Sequence, residues 1–335
     1  MIKHNPKTLS ELKNNIQFNQ QINNLIKFNK IKPYIYLGTF SYFFLTFIVL
    51  IVTIFSFTIL DFTLGIKIFL IIIFLILLTF FIIYTVINKN QNIFKLPYKK
   101  VQKYIFEELD MSTLYNEFLN QYDFKDDIKD VQFIFKKNYQ SKPSFYKNDI
   151  KKIFEQGERN TNYLMFKYKN NICKFIINKP IIETKKINEK ETITIYKINY
   201  TLKLETKKYD ESFNNIKIIK HSLFKNNYKT ESTLFNKKYS VITKNNNLNA
   251  ALVLSPKAID KLSNIKNDIF DEILIDNGIY VNSLLVTENY KELPIGFINL
   301  LKIISHDDFI NEVASKIESD LNDMSIALKY IEALI

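Results

Sequence analysis

Residues 34–87 read YIYLGTFSYFFLTFIVLIVTIFSFTILDFTLGIKIFLIIIFLILLTFFIIYTVI, and the reading of this stretch decides the fold. Two apolar runs, Tyr34–Leu60 and Ile68–Ile87, carry no charged side chain and are separated only by Asp61 to Lys67. A helix needs about 20 apolar residues to cross a hydrocarbon core of about 30 Å, so each run is long enough to span. The joint is short, which makes the pair a hairpin that turns at the far bilayer surface. A buried helix of a soluble core rarely stays apolar all the way round for so long. Each central Ile, Leu, Val or Phe favours insertion by about 0.3–0.6 kcal/mol, so IFLIIIFLILLTFFII at 68–83 inserts with a margin of several kcal/mol. A cleaved signal peptide would place a shorter apolar core nearer the start, whereas more than thirty residues, predominantly polar and basic, come first here.

Lysines set the orientation. Lys27, Lys30 and Lys32 precede the first run, while Lys89, Lys95, Lys99, Lys100 and Lys103 follow the second. Positive residues beside short loops stay on the cytoplasmic side, so the expectation is a multi-pass protein of the cell membrane with both termini cytoplasmic. These eight lysines are the candidate contacts to anionic headgroups, each worth about 1 kcal/mol near the surface. With so little chain between the spans, a receptor for large external ligands is disfavoured. Within the first run Thr39, Tyr42, Thr46, Val49, Thr53 and Ser56 recur every three or four residues. Small and hydroxyl-bearing side chains at that spacing form a helix-packing seam, either against the second span or between two copies. No Asp, Glu, Lys, Arg or His lies deep in either run, which argues against an ion or proton pathway.

The net charge of +12 is spread along the chain, and Arg159 is the single arginine. A nucleic-acid partner would want clustered basic residues with interleaved aromatics. Lys99, Lys100 and Lys103 with Tyr98 and Tyr104 come nearest, yet their place just past the second span fits headgroups better, so nucleic acid is not expected. The partners expected are the lipid bilayer and a protein, either a second copy or another chain. Cys173 is alone, which excludes an internal disulfide and suits a reducing compartment. Within Ile172–Ile177 it reads as a small buried hydrophobe. His4, His221 and His306 are scattered, five glycines supply no phosphate-cradling loop, and no serine sits in a nucleophile elbow. No cofactor or metal is expected. Asp123, Asp126, Asp127 and Asp130 lack the glycine and terminal glutamate of a calcium loop and read as a solvated connector. Neighbouring acids such as Glu107–Glu108, Asp126–Asp127 and Asp307–Asp308 point to different faces of a helix and make no acid/base pair.

The remaining segments predict an α+β chain: a two-helix transmembrane hairpin, then a cytosolic domain of helices and antiparallel sheet. Residues 1–33 form a basic amphipathic tail, capped by Thr8 and Glu11, with Pro33 at the entry to the span; 34–88 are the hairpin. Residues 89–160 read as a helical connector and 161–290 as the β-rich domain. Tyr163–Lys169 and Ile172–Ile177 make a hairpin turned by Asn170–Asn171; Thr192–Tyr196 and Asn199–Leu204 follow as strands. Ile273–Ile275 and Ile279–Val281 flank Asp276–Asn277–Gly278, the clearest hairpin signal in the chain. Residues 291–335 carry an amphipathic helix capped by Ser305 and Asp308. Its seam of Ile310, Val313, Ile317, Leu321, Met324, Leu328, Ile331 and Ile335 suits either the chain's own body or a partner helix.

Glu231–Ser232, Phe235–Val241, and Ala250–Pro256 with Ile259 and Leu262 carry a resemblance. Together with the Asp276–Gly278 hairpin and the two-span start, they resemble the bacterial membrane proteins grouped as domain of unknown function number thirty-one thirty-seven. Phe175–Ile176–Ile177 departs from that pattern, where a Phe-Ser-Glu triplet is usual. The family carries no established activity, so the resemblance implies architecture alone. The expected function is a membrane-anchored interaction or scaffold module; the alternative is a membrane-bound, hydrolase-like enzyme or regulator using residues distant in sequence. A concave pocket with converging charges favours the second, an apolar groove the first.

Overall fold

The computed structural model describes residues 9–58, 63–91, 96–136, 149–186, 192–209, 211–222, 228–244, 247–266, 269–288 and 294–335, so Thr8, Asp61 and Lys95 lie outside the described residues. The helices are α1 (Leu9–Ile16), α2 (Gln20–Thr58), α3 (Leu64–Gln91), α4 (Leu96–Glu107), α5 (Met111–Leu119), α6 (Ile150–Asn160), α7 (Thr233–Lys238), α8 (Asn247–Val253), α9 (Pro256–Asn264) and α10 (His306–Leu334). The strands are β1 (Ile128–Ile134), β2 (Tyr163–Tyr168), β3 (Asn171–Ile177), β4 (Ile181–Lys186), β5 (Thr192–Glu205), β6 (Ile216–Lys220), β7 (Tyr239–Ile242), β8 (Phe270–Ile275) and β9 (Ile279–Thr287). The fold is mixed α and β with an antiparallel sheet. It divides into a helical unit, Leu12–Ile105 with Asn299–Ile310, and a sheet unit holding the described residues up to Glu11, Phe106–Ile298 and Asn311–Ile335.

In the helical unit Asn19 caps α2, its side chain accepting from the backbone N–H of Gln21 and Ile22 at 2.9 and 3.2 Å. The expected break between tail and span at Pro33 is absent, since α2 runs through it. Proline inside a helix costs about 3 kcal/mol. Tertiary bonds one turn upstream offset it: buried Asn29 donates through Nδ2 to the carbonyls of Leu300 and Ile303 at 2.8 and 2.7 Å and accepts the Tyr98 hydroxyl at 2.8 Å.

Helices α2 and α3 pair through the Tyr42 hydroxyl, which donates to Leu77 O at 2.8 Å, and through Phe43 against Phe81. Thr46 and Thr53 are buried on the same stripe as Tyr42. Their hydroxyls donate to Tyr42 O and Val49 O within α2, which keeps the polar groups satisfied inside one helix. The helix of Thr39 and Ser56 is described but their side chains are not. Leu64–Ile82 in α3, 19 residues of mean hydropathy 2.9, is long and apolar enough to cross a membrane. The described apolar stretch of α2, Phe40–Phe55, is shorter, so one span rather than two meets the length requirement among the described residues.

In the sheet unit the strand order is β1-β2-β3-β5-β9-β8-β6-β7, with β4 also on β5. The two strands expected at 192–196 and 199–204 are one. β5 is 14 residues long because β4 pairs its first half, β3 its second half, and β9 the opposite edge. Residues 128–134, expected in a helical connector, form the edge strand β1. Tyr168 pairs Asn171, so the β2–β3 turn is Lys169–Asn170, one residue earlier than expected; both have positive φ, 46° and 65°. The β8–β9 hairpin forms as expected, with Gly278 at φ 130°, where an added Cβ would stand 2.5 Å from Leu204 O.

One sheet face is apolar and closed. Leu202, Leu204, Ile218, Ile273, Ile279 and Val281 are buried there, and Tyr330 of α10 stacks on Phe270 at 4.7 Å. The α10 seam from Ile310 to Ile331 is buried, so this helix docks on the chain's own body; Ile335 at its end is exposed. Ser305 Oγ accepts from Asp308 N–H while Asp308 accepts from Ile304 N–H, the reciprocal cap the sequence predicts. Asp320 is fully buried on this helix. It pairs with Lys316 at 2.7 Å and accepts from the Tyr115 hydroxyl at 2.6 Å and from Gly296 N–H at 3.1 Å.

Candidate functional site

The opposite face of the sheet is only partly covered. α6 lies across β3, β5 and β9, placing Phe154 edge-on to Tyr280 at 5.6 Å. Asp149 caps it, accepting from Lys152 N–H at 3.2 Å, and buried Gly157 permits close approach to Ile176 and Asn178. Beyond the start of α6 the sheet opens into a cleft of about 460 Å³. Ile150 and Ile153 of α6 form one wall, and side chains from β4 to β9 form the floor and rim.

A β-bulge makes the floor acidic. Phe270 pairs Ser283 and Glu272 pairs Asn282, so Asp271 is the extra residue. Neighbours on a regular strand point to opposite faces. Here Phe270 and Ile273 both turn to the closed face, and Asp271 and Glu272 both line the cleft. Glu272 stands 3.0 Å from Lys217 Nζ, in an ion pair whose geometry is not that of a hydrogen bond. Burial pushes its carboxyl above the usual carboxylate range; Lys217 pulls it down, and the negative charges of Asp271 and Asp149 push it further up. At the rim Lys197 and Glu183 pair at 2.7 Å.

Asn282, 1 % exposed, sits in the floor. Its Nδ2 donates to Asn199 Oδ1 at 3.0 Å and to Asp271 Oδ2 at 2.9 Å, which fixes the amide orientation, because a flip would set oxygen against the carboxylate. Its Oδ1 is buried and accepts no hydrogen bond. Buried carbonyl oxygens are almost always paired, so this one is an open acceptor.

A second concavity, about 640 Å³, lies among α7, α8 and α9 and is lined by Glu231, Ser232, Leu234, Leu254, Pro256 and Ile259. Ser232, one of these residues, and Ser255, next to two of them, have local structural work. Ser232 Oγ accepts from Phe235 N–H at 3.2 Å, and Ser255 Oγ from Ala258 N–H at 3.3 Å, capping α7 and α9.

The candidate headgroup lysines fall in the helical unit. Lys27 and Lys30 on α2 and Lys99, Lys100 and Lys103 on α4 are exposed. Lys32 is half-buried and bonded to the Tyr98 hydroxyl at 3.2 Å. Lys89 lies on α3, its side chain not described. The thiol of Cys173 is buried against β-structure, and burial raises its pKa, which removes nucleophilic character. Asp127 and Asp130 form surface pairs with Lys169 and Lys167. Among the described residues no three His, Cys, Asp or Glu side chains converge on a metal position.

Sequence reasoning missed the cleft, because strand alternation separates Asp271 from Glu272 until the bulge is known. Asn199, between Ile198 and Tyr200, and Asn282, directly after Ile279–Val281, were the available signal. Comparison with protein-family models, with curated proteins and with solved structures yields no match.

Proposed function

We propose that the chain is a membrane-anchored interaction module, with α2 and α3 crossing the bilayer as a hairpin, both termini cytoplasmic, and the sheet unit offering its cleft to a partner. One observation carries the reading. Phe40, Phe44, Phe47, Ile51, Phe55, Phe69, Ile72, Ile76 and Phe80, among others of α2 and α3, are large apolar side chains standing exposed. Water-facing surfaces rarely hold a contiguous apolar patch above a few hundred Å². Lipid solvates such a surface, and the lysines of α2 and α4 then meet the cytoplasmic headgroups. Kinship with the two-span family of unknown function belongs to the same reading.

Among the described side chains the α2 stripe meets α3 through Tyr42, and the α10 seam from Ile310 to Ile331 is used internally, so this reading draws on neither for self-association. A second reading, a membrane-bound enzyme or regulator, draws on the cleft and on the raised Glu272 carboxyl, a group suited to proton donation. Against it, the cleft residues include no histidine or cysteine to serve as nucleophile or partner base. The test is alkaline extraction of membranes bearing the full chain, with protease added outside intact cells. The protein is expected in the membrane pellet with its C-terminal body protected. Release at high pH, or removal of the body by external protease, overturns the anchor.

A further inference from the structure

We propose that the sheet-face cleft is a binding site for a primary ammonium carried on an apolar stem, held by Asn282 Oδ1 and the Asp271 and Glu272 carboxylates. The inference rests on reading the cleft as the module's contact site and is independent of the anchor.

Asn282 gives the strongest reason. Its Nδ2 is fully committed to Asn199 and Asp271, so only an incoming donor can satisfy Oδ1. Leaving such an oxygen buried and unpaired costs free energy that a ligand N–H recovers. Asp271 stands beside it as the bulged residue, with one carboxylate oxygen taken by Asn282. Glu272 has Lys217 on one side only. The floor therefore offers acceptors in excess of donors, the complement of an ammonium with three N–H groups. Its lysines do not reverse the sign: Lys197 is spent on Glu183, Lys217 on Glu272 and Lys152 on Asp149 at 3.4 Å, which leaves the Asp271 carboxylate in the floor with Lys220 only at the edge. The walls are aliphatic, with Ile150, Ile153, Ile219 and Leu284 placed to pack a methylene stem. A lysine side chain of a partner or a free alkyl amine presents this chemistry.

The experiment uses the full chain in mild detergent, with 1,5-diaminopentane and n-butylamine as probes and n-butanol and butyrate as controls, read by calorimetry and thermal unfolding. Both amines are expected to bind saturably and raise the unfolding midpoint, and both controls to fail. Asn282→Leu and Asp271→Asn are each expected to weaken binding roughly tenfold or more, the effect of one charge-assisted hydrogen bond. Asp271 is the less buried of the two, so its variant gives the answer if Asn282→Leu does not fold. Affinity is also expected to rise with pH as Glu272, facing Lys217, Asp271 and Asp149, gives up its proton. Equal binding of butanol, preference for butyrate, no saturation by either amine, or unchanged affinity in Asp271→Asn overturns the proposal. Anchoring is read by membrane extraction and amine binding in detergent, so each fails separately.

Discussion

Replacing Asp320 by alanine is expected to be the most damaging single change in the sheet unit. The carboxylate is 0 % exposed and has three partners: the Lys316 ammonium at 2.7 Å, the Tyr115 hydroxyl at 2.6 Å and the Gly296 N–H at 3.1 Å. Lys316 is itself only 11 % exposed, so it would keep its charge in a dry site with its counter-ion gone. Breaking a buried pair from one side costs about 3–5 kcal/mol, and the orphaned hydroxyl and amide are contained in that figure rather than added to it. For a domain of this size that lowers the unfolding midpoint by about 6–20 °C. The assay is thermal unfolding of the full chain in mild detergent, followed by far-UV circular dichroism. Asp320→Asn keeps an acceptor for Tyr115 and Gly296 but not the charge, and is expected to lose less. The double variant Lys316→Met/Asp320→Asn is expected to recover part of the loss of Asp320→Ala, since removing both charges leaves no uncompensated ion. A midpoint for Asp320→Ala within a degree or two of the parent would refute the claim that this cluster secures α10.

Asn29→Ala removes the buried side chain that bonds Leu300, Ile303 and Tyr98. It is expected to cost about 2–3 kcal/mol and to speed hydrogen exchange at the amides around Pro33, measured by mass spectrometry. The pH dependence of Glu272 has a definite sign. Its folded carboxyl titrates above the ordinary glutamate value, so its share of stability is fully present below that ordinary value and is lost as pH rises through the folded one. Glu272→Gln removes this decline, so the variant's midpoint should gain on the parent between pH 4 and pH 8. Glu205 runs the other way: burial opposes ionisation, but Lys203 and Lys174 outweigh it and hold the carboxyl low. That contribution is common to both proteins and cancels in the comparison.

What the sequence showed and what it hid divide along physical lines. Asp276–Asn277–Gly278 was legible because a short hairpin loop with positive φ at two successive residues, Asn277 and Gly278, has few chemical solutions. The α10 seam was legible for the same kind of reason, a fixed 3.6-residue period, though its destination was decided by tertiary packing. The joint in β5 was misplaced because two partners in series share one edge of that strand, a long-range fact with no local signature. Lys169–Asn170 displaced Asn170–Asn171 as the turn because pairing register, set by the buried faces of β2 and β3, overrides a one-residue preference. The cleft was invisible for a related reason. It depends on a bulge at Asp271 and on the meeting of residues 149, 199, 217, 272 and 282, which only the folded sheet brings together.

The pairing of β5 with β9 has a consequence for biosynthesis. It joins residues 196–204 to 279–287, and α10, which closes the apolar face, ends at Leu334. The apolar segments at 34–87 leave the ribosome long before either can form. Translation thus delivers the spine of the sheet while its central neighbour is still unmade, and Leu202 and Leu204 must wait with their greasy side uncovered. Contacts that distant in sequence close slowly, and strands waiting for them invite off-pathway association. A stop codon before α10 would make that interval permanent.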